Sequence, residues 1–176
     1  DRGLTDHDLL TLGVTSHADG HTDFGVIASI SEGLAYRRDD DFRRITEIAC
    51  AESLQLITLT ITEKGYQLNG YDGSYQDAVV EDLGRDPESD RMSTAMGLVT
   101  ALLVQRFHAG ATPVAVVSCD NFSHNGDMLR TSVLTIAAEW EKRGVIDHRV
   151  VEWIAEKVEF PISVIDKITP APSQQV

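Results

Sequence analysis

The chain has 176 residues, enough for one domain with a sizeable core. Its 42% hydrophobic and 24% charged residues describe an ordinary globular protein, and no run of about eighteen apolar residues offers a membrane span. The net charge is -13, and the lysines and arginines are dispersed apart from pairs such as Arg37–Arg38 and Arg43–Arg44, so no basic patch for nucleic acid is seen.

Residues 9–15 (LLTLGVT) and 24–30 (FGVIASI) read as two short strands, with a Gly- and Asp-containing hairpin loop between them. Residues 39–52 read as a helix with its acidic residues in the first turn, where the helix dipole favours them. The β-branched run 54–61 (LQLITLTI) predicts a buried strand. A loop rich in Gly and Tyr follows over 62–75. A long helix is predicted over 89–110, with Ser89 as N-cap and Gly110 as its stop. Residues 112–119 (TPVAVVSC) form the next strand, 124–144 a helix ending at Gly144, and 147–158 a shorter helix. Trp140 and Trp153 fall among apolar helix neighbours and are expected in the core.

From residue 39 the order is helix, strand, helix, strand, helix. Both central strands are continuous apolar runs, which predicts burial on both faces and a parallel sheet covered by helices. The preceding hairpin adds antiparallel pairing. Two cysteines, Cys50 and Cys119, make neither a disulfide framework nor a zinc set and are expected as buried free thiols. There is no signal peptide pattern, so a cytoplasmic protein is expected. The chain opens with Asp1 rather than Met, as a piece of a longer protein would.

In open α/β sheets ligands bind beyond the carboxyl ends of the strands. Two strands here end in polar clusters: Thr60, Thr62, Glu63 and Lys64 after the first, and Ser118, Asp120 and Asn121 after the second. Adjacent parallel strands would bring both to one rim. The plainer readings are that Asn121 or Ser123 caps the helix that follows, and that Glu63 and Lys64 lie in a solvated turn. Asp6, His7 and Asp8 with His17 and His21 do not have the spacing of a metal site, and no metal is expected. No G-x-G-x-x-G, Walker A or G-x-S-x-G sequence occurs.

Three stretches, 58–66 (TLTITEKGY), 118–126 (SCDNFSHNG) and 160–170 (FPISVIDKITP), together resemble the signature segments of the mannitol dehydrogenase family, and 25–36 (GVIASISEGLAY) resembles another part of its first domain. That resemblance implies a Rossmann-type α/β domain: a mostly parallel sheet flanked by helices, with an antiparallel hairpin near the N-terminus. It also implies NAD or NADP as cofactor and hydride transfer to or from a secondary alcohol of a polyol or sugar acid. Asn121 matches the family asparagine that donates to the reacting oxygen, and Glu63 a glutamate that resembles a proton relay. Asp166 and Lys167 match the substrate side. Thr62, Ser118 and Asp120 lie where the nicotinamide half would pass, and some of them would only hold backbone.

Family members are longer. Their first Gly-rich strand-turn-helix and the Lys-x4-Asn-x2-His motif of their helical C-terminal domain do not occur in this sequence. Residues 1–176 are therefore expected to be an incomplete cofactor-binding domain, inactive without the lysine base. Ile162 and Val164 depart from the family segment, while Lys167 leans to the hexuronate branch. Two rival readings are a metal-dependent phosphohydrolase using Asp120, with Glu63 and Asp166, and a non-catalytic α/β binding module.

Overall fold

The computed structural model describes residues 6–165, which fall into two compact units, one reaching Glu47 and one beginning at Ile48. In the first unit β1 (Thr11–Ser16) and β2 (Thr22–Ile27) form the expected antiparallel hairpin, paired Leu12 to Val26 and Val14 to Phe24. The strands run deeper into the polar loop than the apolar pattern predicted, and 28–30 are not strand. The reason lies in the turn. His17 N–H bonds to His21 O at 2.8 Å, and Asp23 accepts from both His17 Nε2 and His21 Nε2, at 2.8 and 2.9 Å. Helix α1 (Asp39–Cys50) begins with three aspartates, as expected.

The second unit is an α/β arrangement. β3 (Leu56–Leu59) and β4 (Ala115–Ser118) pair in parallel, Leu56 to Ala115 through Leu59 to Ser118. On the other edge of β4, Ala115 bridges in parallel to Glu159. Among the described residues four helices follow in this unit: α2 (Asp77–Leu83), α3 (Ala95–His108), α4 (Asn125–Lys142) and α5 (His148–Lys157). Helix α3 is buried nearly all round, as a central helix must be to find partners for an apolar surface on every side. Its Met96 and Leu103 join Val116 of β4, Leu129, Ile136 and Trp140 of α4 and Ile154 of α5 in one core. Trp153 packs edge-on against Phe107 at 5.7 Å.

Several details differ from the sequence expectation. The strands are four residues long rather than eight, and Leu56 of β3 is exposed, so among the described residues β3 is not covered on both faces. Cys50 and Cys119 are free thiols, but only half-buried. Helix α2 lies where no element was predicted. Its start has no side-chain cap, and it is held by burial of Val79 and Leu83 and by Asp82. Helix α3 begins six residues later than predicted. Thr94, not Ser89, is its cap, accepting from Gly97 N at 2.9 Å, while Ser89 bonds back to Asp86 at 3.1 Å. Helix α4 is capped by neither Asn121 nor Ser123; it starts after His124, whose backbone is left-handed at φ 57°. The stops at Gly110 and Gly144 are as predicted, both with positive φ.

Arg106, buried in α3, has no carboxylate partner among the described residues. It donates to the carbonyls of Thr112, Ala49, Ala51 and Leu54 at 2.5–3.0 Å. One side chain thereby ties residues 49–54, the second unit's own entry to β3, onto that unit's core. No helix among the described residues is long and apolar enough to cross a membrane.

Candidate active site

The carboxyl ends of β3 and β4 are joined by side chains as well as by the ladder. Cys119 N–H continues the pairing to Leu59 O at 2.7 Å. Asp120 Oδ2 then accepts from Ile61 N–H at 2.7 Å and from the Tyr66 hydroxyl at 2.6 Å. Tyr66 also bonds Ser118 Oγ at 2.8 Å, and its carbonyl accepts from Ser132 Oγ of α4 at 2.7 Å. The short 3-10 turn Glu63–Tyr66 returns Tyr66 under the sheet end, where its ring meets Phe122 edge-on at 5.2 Å.

Tyr66 is completely buried. Burial, and secondarily its bond to Asp120, pushes its pKa up to about 12. It therefore stays protonated and donates to the Asp120 carboxylate. Asp120 in turn fixes the peptide of Ile61, immediately before Thr62 and Glu63. Both of those residues are exposed, as are Lys64 and Asn121. The Asn121 side chain makes no hydrogen bond among the described residues.

A third segment closes the arrangement. Residues 160–163 cross the first turn of α4, so close that a Cβ on Gly126 would lie 2.6 Å from the carbonyl oxygens of Phe160 and Pro161. Ser163 Oγ donates to the carbonyl of Ser118, and Asn125 bonds both Ser163 and the Asp120 carbonyl.

Of the residues singled out in the sequence, Ser118 is buried with its hydroxyl bonded to Tyr66, and Asp120 is half-buried at the strand junction. Thr62, Glu63 and Asn121 lie exposed just beyond the strand ends. Asp166 and Lys167 lie outside the described residues. Sequence reasoning missed Tyr66, Asn125 and Ser163. The signals were present: Gly-Tyr after the first polar cluster, Asn-Gly at a helix start, and Ser in the segment after Phe-Pro. None reveals a bond spanning 38 to 54 residues without the fold.

Comparison with known proteins identifies the family and the fold. The mannitol dehydrogenase Rossmann domain profile matches residues 2–176. The D-mannonate oxidoreductase of Thermotoga maritima is 42% identical over 175 residues, covering 99% of this chain and 32% of its own. The mannitol 2-dehydrogenase of Pyrenophora tritici-repentis is 32% identical over 171 residues, covering 95% of this chain and 28% of its own. The Pseudomonas fluorescens mannitol 2-dehydrogenase, solved as a ternary complex with NAD and D-mannitol, superposes with a TM-score of 0.76 at 30% identity. That match covers 99% of this chain and 34% of the other. A D-sorbitol dehydrogenase in substrate-free form gives 0.78 at 28% identity, with the same coverage. The chain thus spans about a third of the length of the relatives it matches. Its two joined strand ends are those of a Rossmann-type α/β fold, and the chain belongs to the mannitol dehydrogenase family.

Proposed function

We infer that the chain is part of an NAD(P)-dependent oxidoreductase that interconverts a secondary alcohol of a polyol or aldonate with the ketose or ketouronate. One observation carries this reading. At the joined ends of β3 and β4, Asp120 holds the backbone leading to Glu63, while Asn121, the next residue, stays exposed with an uncommitted amide.

Asn121 donates to the oxygen of the reacting carbon, on which negative charge develops during ketone reduction. A neutral amide suits this task because it donates without titrating. Glu63 relays the proton that the lysine base takes from, or returns to, the alcohol oxygen. The exposed Thr62 hydroxyl and the main chain at the strand ends fit the uncharged carboxamide-bearing half of a dinucleotide. Ser118 and Asp120 serve that half by fixing the backbone. A bound NAD or NADP supplies the hydride acceptor for oxidation and the donor for reduction. Asp166 and Lys167 belong to the substrate side.

The similarity to a D-mannonate oxidoreductase and the choice of Lys at 167 both support a sugar-acid substrate of the mannonate/fructuronate type over mannitol/fructose. Asp120 suits the rival phosphohydrolase reading poorly, because its Oδ2 already accepts two hydrogen bonds. Residues 1–176 would be an inner portion of the cofactor-binding domain, with a helical catalytic domain and its lysine base elsewhere in the protein.

The test is NAD(P)H oxidation by the full-length gene product, with fructuronate, tagaturonate and fructose offered in turn. Turnover of one of them is expected, and a folded protein that reduces none overturns the reading. The 176-residue chain alone is expected to be inactive; mannonate or mannitol oxidation by it would refute the assignment of the base to another part of the protein.

A further inference from the structure

Asn125 is completely buried, and none of the roles above uses its side chain. Its amide is nonetheless occupied at both ends. Nδ2 donates to the carbonyl of Asp120 at 3.0 Å, and that carbonyl belongs to the peptide that leads into Asn121. Nδ2 also donates to Ser163 O at 3.0 Å and Ser163 Oγ at 2.9 Å, two hydrogens being shared among three acceptors. Oδ1 accepts from Ser163 N–H at 3.1 Å and from Gly126 N–H at 2.8 Å. Ser163 Oγ donates onward to the carbonyl of Ser118, the last residue of β4.

We propose that Asn125 is a positioning residue that, through Ser163, fixes the segment 160–165 against the peptide bearing Asn121. Only an amide meets this geometry, since carbonyl oxygens face one end and backbone N–H groups face the other. The missing side chain of Gly126 lets the segment lie directly on the helix start. Ile162 and Val164, on either side of Ser163, are 54% and 90% exposed, so the pin at Ser163 sets where these two side chains stand. The segment then runs on in sequence to Asp166 and Lys167. The effect on turnover rests on the oxidoreductase reading above; the effect on the segment does not.

The experiment uses the full-length gene product and the variants Asn125→Asp, Ser163→Ala and Ser163→Thr. Amide exchange of peptides covering 158–165 is read beside steady-state kinetics and NADH affinity. Asn125→Asp turns a carboxylate toward carbonyl oxygens, and Ser163→Ala removes the hydroxyl. Both are expected to speed exchange in 158–165 by about tenfold or more, with β3 and β4 unchanged. Both should also raise KM for the sugar substrate and lower kcat by about tenfold, with NADH affinity within about twofold of wild type. Ser163→Thr should retain wild-type behaviour in both readouts. Unchanged exchange in 158–165 overturns the proposal. So does acceleration spread evenly over the whole unit, which would mark a structural role alone. Local acceleration with kcat and KM unmoved in an active enzyme overturns it too. Local acceleration in a protein that turns over no substrate leaves the positioning role standing and defeats the oxidoreductase reading instead.

Discussion

Asp82 and Asp120 are built into the second unit in much the same way, yet only one of them borders a candidate site. Asp82 is completely buried. It accepts from Ser93 N–H at 2.5 Å, Thr94 N–H at 2.9 Å and Thr94 Oγ1 at 2.6 Å, with Arg85 3.5 Å away. Its own carbonyl takes the Trp140 indole N–H at 3.2 Å. Asp120 accepts from one backbone N–H and one tyrosine hydroxyl. The difference lies in what each carboxylate leaves over. Around Asp82 the polar groups are spent starting α3, and a Cβ on Gly97 would collide with the carboxylate. Next to Asp120 stand Asn121 on one side and Thr62–Glu63 on the other, exposed beside backbone the network fixes. A buried, hydrogen-bonded aspartate is therefore not itself the mark of a site. Spare polar groups on backbone held rigid by such a residue are the better mark.

Two substitutions test that contrast from opposite sides. Asn121→Ala in the full-length gene product is expected to lower kcat by about 10²–10³, as removal of a transition-state donor does. Its urea midpoint should not move, because no hydrogen bond of the described structure is lost. Asp82→Ala should do the reverse. It takes the acceptor away from the part-buried N–H groups of Ser93 and Thr94 and from the Thr94 hydroxyl, which costs about 2–4 kcal/mol in urea unfolding. Turnover per folded molecule should stay near wild type. The contrast breaks if Asn121→Ala unfolds the protein, or if Asp82→Ala silences an enzyme that remains folded.

The same contrast explains what could be read from the sequence. Helices α1, α4 and α5, the hairpin and the two parallel strands were legible because periodicity and apolar runs are local. The stops at Gly110 and Gly144 were legible because a left-handed residue ends a helix. Helix α2 was not. Its seven residues lack a side-chain capping bond at the start, and what stabilises them is contact with α3 and α4, including the Trp140 bond to Asp82. The true start of α3 was hidden for the same reason: Thr94 and Ser89 look alike as caps until Asp82 is seen bonding Thr94. At the candidate site, the exposed residues Glu63 and Asn121 stood out by type and place after a strand. Tyr66, Asn125 and Ser163 did not, because their roles depend on pairings with segments 38 to 54 residues away. Local signals fix which residues are polar at the rim; the fold alone says which of them are already in use.

The smallest expected effect concerns Tyr66, which the Asp82 network has no counterpart for. Tyr66→Phe removes the bonds to Ser118 and Asp120 and should cost about 1–2 kcal/mol near neutral pH. Its signature is the pH dependence. An unfolded tyrosine titrates near pH ~10, whereas burial and the bond to Asp120 push Tyr66 up to about 12 in the folded chain. Below the unfolded value both states hold the proton, and the full contribution is present. Between the two values the unfolded chain loses its proton first, so stability falls as pH rises toward the folded value. Urea unfolding followed across that alkaline window should show a steeper decline for wild type than for Tyr66→Phe, while Asp82→Ala should shift the wild-type curve down without flattening it. Parallel wild-type and Tyr66→Phe curves would mean that the hydroxyl is not held by the strand ends, and that Asp120 fixes the Ile61 peptide without it.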